Sequence, residues 1–114
     1  MNKPILGVDI GGVIKDSGYL MGEVPKATTI LKVLKTSGAF EHIYLVSQCL
    51  TPLRRFVYRW LSRHNFWDTG ISLEDVLFCN QRKYKAEIAA DRSITHFVDD
   101  RMDVLLGMPK SVSH

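Results

Sequence analysis

At 114 residues, with 46% hydrophobic and 24% charged residues, the chain has the size and make-up of one folded domain with its own core. That composition excludes a fibrous or low-complexity protein, and no apolar run approaches the roughly 20 residues of a membrane span. The formal net charge of +3 permits an anionic partner without demanding one.

In chain order, apolar runs alternate with amphipathic segments. Residues 4–9 read as a first strand, ending on Asp9, and 11–23 as a turn-rich loop containing Gly12, Gly18 and Gly22. Because Asp9 interrupts the first apolar stretch, the N-terminus does not resemble a secretion leader. A helix is predicted from Pro25 through Lys35, with Ile30, Leu31 and Leu34 on one face and Gly38 as its stop. Residues 42–46 form a second strand closed by Ser47. Thr51 as N-cap and Pro52 at the first helical position then open a long helix to about His64. Its buried face is predicted to be Leu53, Phe56, Val57, Trp60 and Leu61, with Arg55, Arg59 and Arg63 as a basic stripe. Such a stripe is ordinarily a solvated face, although it could meet phosphates. Phe66 and Trp67 read as core or helix-end packing, with base stacking as the alternative. A third strand at 76–79, a helix at 84–90, a fourth strand at 95–98 and a short helix at 102–106 follow, and then a tail, 107–114.

Strands alternating with helices imply parallel pairing through right-handed crossovers. The expected fold is therefore a three-layer α/β/α Rossmann-like domain, 1–114, with a mainly parallel sheet of four strands. Cys49 and Cys79 fit reduced thiols and a cytoplasmic protein better than a disulfide framework.

In a parallel sheet every strand's carboxyl end points to one edge, where ligands bind. Here those ends carry Asp9, Ser47 and the pair Asp99-Asp100, with Lys85 at the start of the intervening helix. Carboxylates converging from two strands suit a hard cation such as Mg²⁺, and a hydroxyl with an ammonium suits phosphate oxygens.

This order of groups resembles the haloacid dehalogenase (HAD-like) superfamily of phosphohydrolases. Asp9 matches the nucleophile of the first motif and Gly12 its turn glycine. Ser47 matches the second motif, Lys85 (or Lys83) the third, and Asp99-Asp100 the fourth. The resemblance runs from Ile5 to Leu106. It implies an aspartyl-phosphate formed at Asp9, with Mg²⁺ held by Asp9, the carbonyl of Gly11 and Asp100, assisted by Asp99. Ser47 and Lys85 would orient and neutralise the phosphoryl oxygens.

Three departures qualify the resemblance. Gly11 stands where the family usually has an Asp acting as general acid and base, and that loss costs about 10²–10⁴-fold in rate. Asp16, the possible substitute on the following loop, reads better as a solvated carboxylate. No fifth strand is evident beyond the fourth, so that the fourth is expected to be an exposed edge, open to dimerisation unless the tail covers it. There is also no cap domain, only a small flap at 13–23. Capless members tend to act on large phosphorylated substrates, and Phe97-Val98-Asp99-Asp100-Arg101 is similar to the 3′-phosphatase domain of polynucleotide kinase-phosphatases, which makes a nucleic acid end one possible partner.

Two other families share pieces of this pattern. Gly7-Val8-Asp9-Ile10-Gly11-Gly12 resembles the phosphate loop of actin-like sugar kinases, but those need two large lobes, and Val13 stands where a Thr usually follows. Receiver domains of two-component signalling use similar groups in a different order. The sequence therefore supports two functions: a Mg²⁺-dependent phosphohydrolase, or a pseudo-phosphatase that binds Mg²⁺ and a phosphorylated ligand without turnover.

Overall fold

The computed structural model describes residues 3–11, 14, 26–99 and 102–113. Within them four strands, β1 (Ile5–Val8), β2 (His42–Gln48), β3 (Val76–Cys79) and β4 (His96–Val98), alternate with four helices. These are α1 (Ala27–Ser37), α2 (Arg54–Arg63), α3 (Lys85–Asp91) and α4 (Met102–Leu106). All strand pairs are parallel, in the order β3-β2-β1-β4. The chain thus steps outward from β1 to β3 and then returns past β1 to lay down β4.

That reversal decides which face each helix covers. Leu6, Val8, Ile43 and Leu45 pack with Leu31 of α1 and Trp60 and Leu61 of α2. On the opposite face Val46 and Phe97 pack with Ala89 of α3 and Val104 of α4. Crossovers of one hand place helices on opposite faces when the direction of travel reverses. The expected α/β architecture, a parallel four-stranded sheet between helices, is the one observed. None of the helices described is long and apolar enough to cross a membrane.

Gly7 in mid-strand is a packing requirement. A Cβ there would stand 2.8 Å from Cδ2 of Phe97, its partner in β4, and 3.0 Å from Cδ1 of Ile94. Its bare backbone lets those two side chains close over the centre of the sheet.

Several boundaries and faces differ from expectation. α1 starts at Ala27, after Lys26 in the left-handed region at φ 62°, and Gly38 at φ 71° ends it as predicted. Leu31 is buried and Leu34 half-buried, but Ile30 is 53% exposed. The contact line of α1 is narrower than its apolar arc, and Ile30 lies at the margin. Thr51 makes no side-chain cap, because residues Thr51–Leu53 wind as a 3-10 turn before α2 begins at Arg54. The tighter turn carries Leu53 out of register with the helix behind it. Leu53 and Phe56 are each 48% exposed, whereas Trp60 and Leu61 are buried and Val57 half-buried. Arg55 and Arg59 bring their guanidinium groups to 5.2 and 5.9 Å from the Phe56 ring centre. Phe66 is core, and half-buried Trp67 donates from Nε1 to Ser62 Oγ at 2.8 Å, so these aromatics pack inward and offer no stacking platform.

The tail does cover the sheet edge, though briefly. Met108 and Val112 are buried against the α3/α4 face. Ser113 donates its N–H to Thr95 O at 2.7 Å and accepts from Phe97 N–H at 2.9 Å, making a single parallel bridge opposite His96. The fifth strand is vestigial, and the edge of β4 expected to be exposed is occupied at that point. Apart from buried Ile14, the 13–23 flap lies outside the described residues, as do Gly12, Asp16 and Asp100.

Candidate functional site

The strand order creates one special crevice. Connections leave β1 in one direction and return on its other side, so the carboxyl ends of β1 and β4 flank the point where the topology switches. Asp9 follows β1 and Asp99 follows β4 directly. The Asp9 N–H donates to Val98 O at 2.9 Å, which continues the sheet pairing to the first of these residues. Strand alternation sets Asp9 on the face of Gly7 and Asp99 on that of Phe97, toward α3.

Lys85, the first residue of α3, fills the space between them and is only 2% exposed. Its Nζ donates to Asp9 Oδ1 at 2.9 Å and to Asp99 Oδ2 at 2.8 Å. The side chain of Asp99 is wholly enclosed and that of Asp9 nearly so. Burial alone would push the Lys85 ammonium toward losing its proton. The hydrogen bond to Asp99 and the charge and hydrogen bond of Asp9 together outweigh it, and its pKa rises above the ordinary 10.5. The group is therefore a fixed positive charge at neutral pH, and it satisfies carboxylates that would be costly to bury alone.

Of the residues expected from sequence, Asp9, Lys85 and Asp99 come together. Lys83 does not share that position: it is exposed, with its ammonium 5.3 Å from the centre of the Tyr84 ring. Ser47 lies within β2 rather than after it and is buried. Alternation puts it on the face of Ile43 and Leu45, away from the Lys85 group, and its hydroxyl makes no hydrogen bond among the described residues. Gly11 is exposed, and a Cβ built on it would meet no atom of the described residues within 4 Å. No three His, Cys, Asp or Glu side chains among the described residues form a metal-sized cluster.

A polar belt beside the site was missed in the sequence. Arg54 donates from Nη2 to Asn80 Oδ1 at 3.2 Å and from Nε to Cys49 O at 3.2 Å, and Gln48 Nε2 donates to Asn80 O at 3.0 Å. These bonds tie the end of β2 to the end of β3. The only sequence signal was a polar residue after each apolar run. Cys79, beneath them, has its thiol pKa raised above 9.0 by burial, against the opposing pull of Lys85 and Arg54. Both cysteines are free thiols.

No family model, curated protein or solved structure matches the chain.

Proposed function

We propose that this chain is a haloacid dehalogenase-like phosphoryl-transfer domain with Asp9 as nucleophile, slow in turnover because Gly11 carries no acid–base group. The observation that supports this reading best is the buried Lys85 ammonium held between Asp9 and Asp99 at the switch point of the sheet. A structural ion pair alone would need neither the convergence of two strand ends nor a carboxylate facing the ligand edge.

The charges suit the chemistry. Among the described residues the site holds two carboxylates and one ammonium, a net charge of −1 that suits a divalent cation. With Mg²⁺ bound, the local charge becomes positive and can hold a phosphoryl dianion. When present, the cation would supply charge neutralisation of the phosphoryl oxygens, held by Asp9, the Gly11 carbonyl and Asp100. Lys85 grips Oδ1 of Asp9 and so orients the carboxylate. Attack by that carboxylate forms an O–P bond and breaks the bond from phosphorus to the leaving oxygen, which departs with its electron pair and needs a proton. Gly11 cannot give one, nor can it later take a proton from the water that hydrolyses the aspartyl-phosphate. Asp99, enclosed and bonded to Lys85, positions the ammonium. Ser47, buried on the opposite face of β2, is not aimed at Asp9, and its part in holding the phosphoryl group rests on the resemblance alone.

The assay is Mg²⁺-dependent hydrolysis of an aryl phosphate. Slow turnover in the wild type, lost in Asp9→Asn, is expected. Gly11→Asp should raise the rate by about 10²–10⁴-fold, and no described residue stands within 4 Å of the new Cβ. Turnover unchanged by Asp9→Asn would sink the nucleophile assignment. The second reading, a pseudo-phosphatase, is favoured by Gly11 itself and predicts phosphate binding with no turnover in the wild type.

A further inference from the structure

We propose that the ligand is a small phosphomonoester carrying a second anionic group, and that this second group docks on Arg82 and Lys83 in a polar groove beside Lys85. The proposal rests on the phosphoryl-site reading above and assigns its substrate class.

The groove encloses about 660 Å³, within the range of roughly 300–1,000 Å³ typical of small-molecule sites. One wall is Gln48 at the end of β2, Asn80 and Gln81 after β3, and Arg82 and Lys83 on the turn leading into α3; Asp103 of α4 stands opposite. It adjoins the candidate site along the chain. Strand alternation turns Gln48 to the face of Val46, the side toward α3 on which Asp9 and Lys85 lie, and Ala86, another lining residue, follows Lys85. On this proposal a ligand with its phosphoryl group at Asp9 extends its organic part along that face into the groove.

The lining is prepared for a polar, anionic ligand. Gln48 and Asn80 are held by the bonds to Asn80 O and from Arg54, which leaves the Gln48 carbonyl oxygen and the Asn80 amide hydrogens to face a ligand. The Gln81 side chain makes no hydrogen bond among the described residues. Lys83 pairs with no carboxylate among them, and Arg82 reaches Asp103 only at 3.7 Å, with both side chains exposed. Such an exposed pair is worth about 1 kcal/mol or less and yields readily to a ligand anion. Among the described residues two cations against one carboxylate leave the walls at net +1. No aromatic ring among them lines the groove, so the chemistry fits a hydroxylated spacer better than a stacked base.

The test is calorimetric titration of the full chain, in Mg²⁺, with a hexose bisphosphate, the matching hexose monophosphate and inorganic phosphate. The bisphosphate is expected to bind at least about tenfold tighter than the monophosphate. The Arg82→Ala/Lys83→Ala double variant should erase that advantage, and Lys83→Arg should keep it; both positions are exposed, so the fold should survive. Equal affinity for the two sugars in a wild type that still binds inorganic phosphate would overturn the groove assignment alone. Failure to bind inorganic phosphate would overturn the phosphoryl-site reading, and this proposal with it.

Discussion

Lys85 shows how much one residue can depend on its surroundings. In water its ammonium would be an ordinary solvated charge; here it is enclosed and bonded to two carboxylates. Replacing it by the similarly long but neutral Met would take from buried Asp9 and Asp99 the ammonium that both carboxylates accept from. A loss of about 3–5 kcal/mol is expected in urea unfolding, and adding Asp99→Asn should restore part of it. Wild-type stability in Lys85→Met would mean that the ammonium does not occupy this position in solution. Gly11 is the contrasting case. No described residue stands within 4 Å of a Cβ built there, so on the proposed function what Gly11 lacks is chemical rather than steric.

At the scale of elements, α2 separates what an amphipathic pattern can and cannot say. Its buried stripe is carried by Trp60 and Leu61, while Phe56 lies on the surface between Arg55 and Arg59. Trp60→Ala is therefore expected to cost about 3–5 kcal/mol. Phe56→Ala, by contrast, should stay within about 1 kcal/mol, the value of its exposed cation–π contacts. Thermal unfolding of the two variants side by side checks this, and equal losses would show Phe56 to be core. The tail poses a different question of pairing. One bridge at Ser113 and two buried side chains, Met108 and Val112, finish the β4 edge with very little strand.

For the whole molecule, two buried groups with raised pKa values act in the same direction. Lys85 and Cys79 both have folded pKa values above their ordinary ones, 10.5 and 9.0. A group whose folded pKa is raised contributes its full stabilisation below the unfolded pKa and loses it as pH climbs toward the folded one. Unfolding free energy should thus decline from about pH 9 as the unfolded thiol ionises, and more steeply beyond 10.5. Denaturant titrations at pH 7, 9.5 and 11 would measure it. The steeper part should vanish in Lys85→Met, and a flat profile to pH 11 in the wild type would contradict the buried geometry of both groups.

Much of this was legible in the chain itself. Alternating apolar runs and amphipathic segments determined the parallel α/β architecture, and acidic residues directly after apolar strands marked the carboxyl edge of the sheet where Asp9 and Asp99 meet Lys85. Gly38 stopped α1 because only a left-handed residue can turn the chain at that point. Helix faces were read less well: at Ile30, Leu53 and Phe56 the apolar pattern is wider than the contact it makes, and burial depends on what lies across the interface. Above all, tertiary structure alone decided which residues meet. Strand order carried β4 back beside β1, and with it Asp99 to within one ammonium of Asp9. The same order placed Lys85 rather than Lys83 between them, and set Gln48, Asn80 and Arg82 along one groove. Sequence spacing limits how far apart two groups can be, but only the path of the chain through the sheet brings positions 9, 85 and 99 within hydrogen-bonding distance.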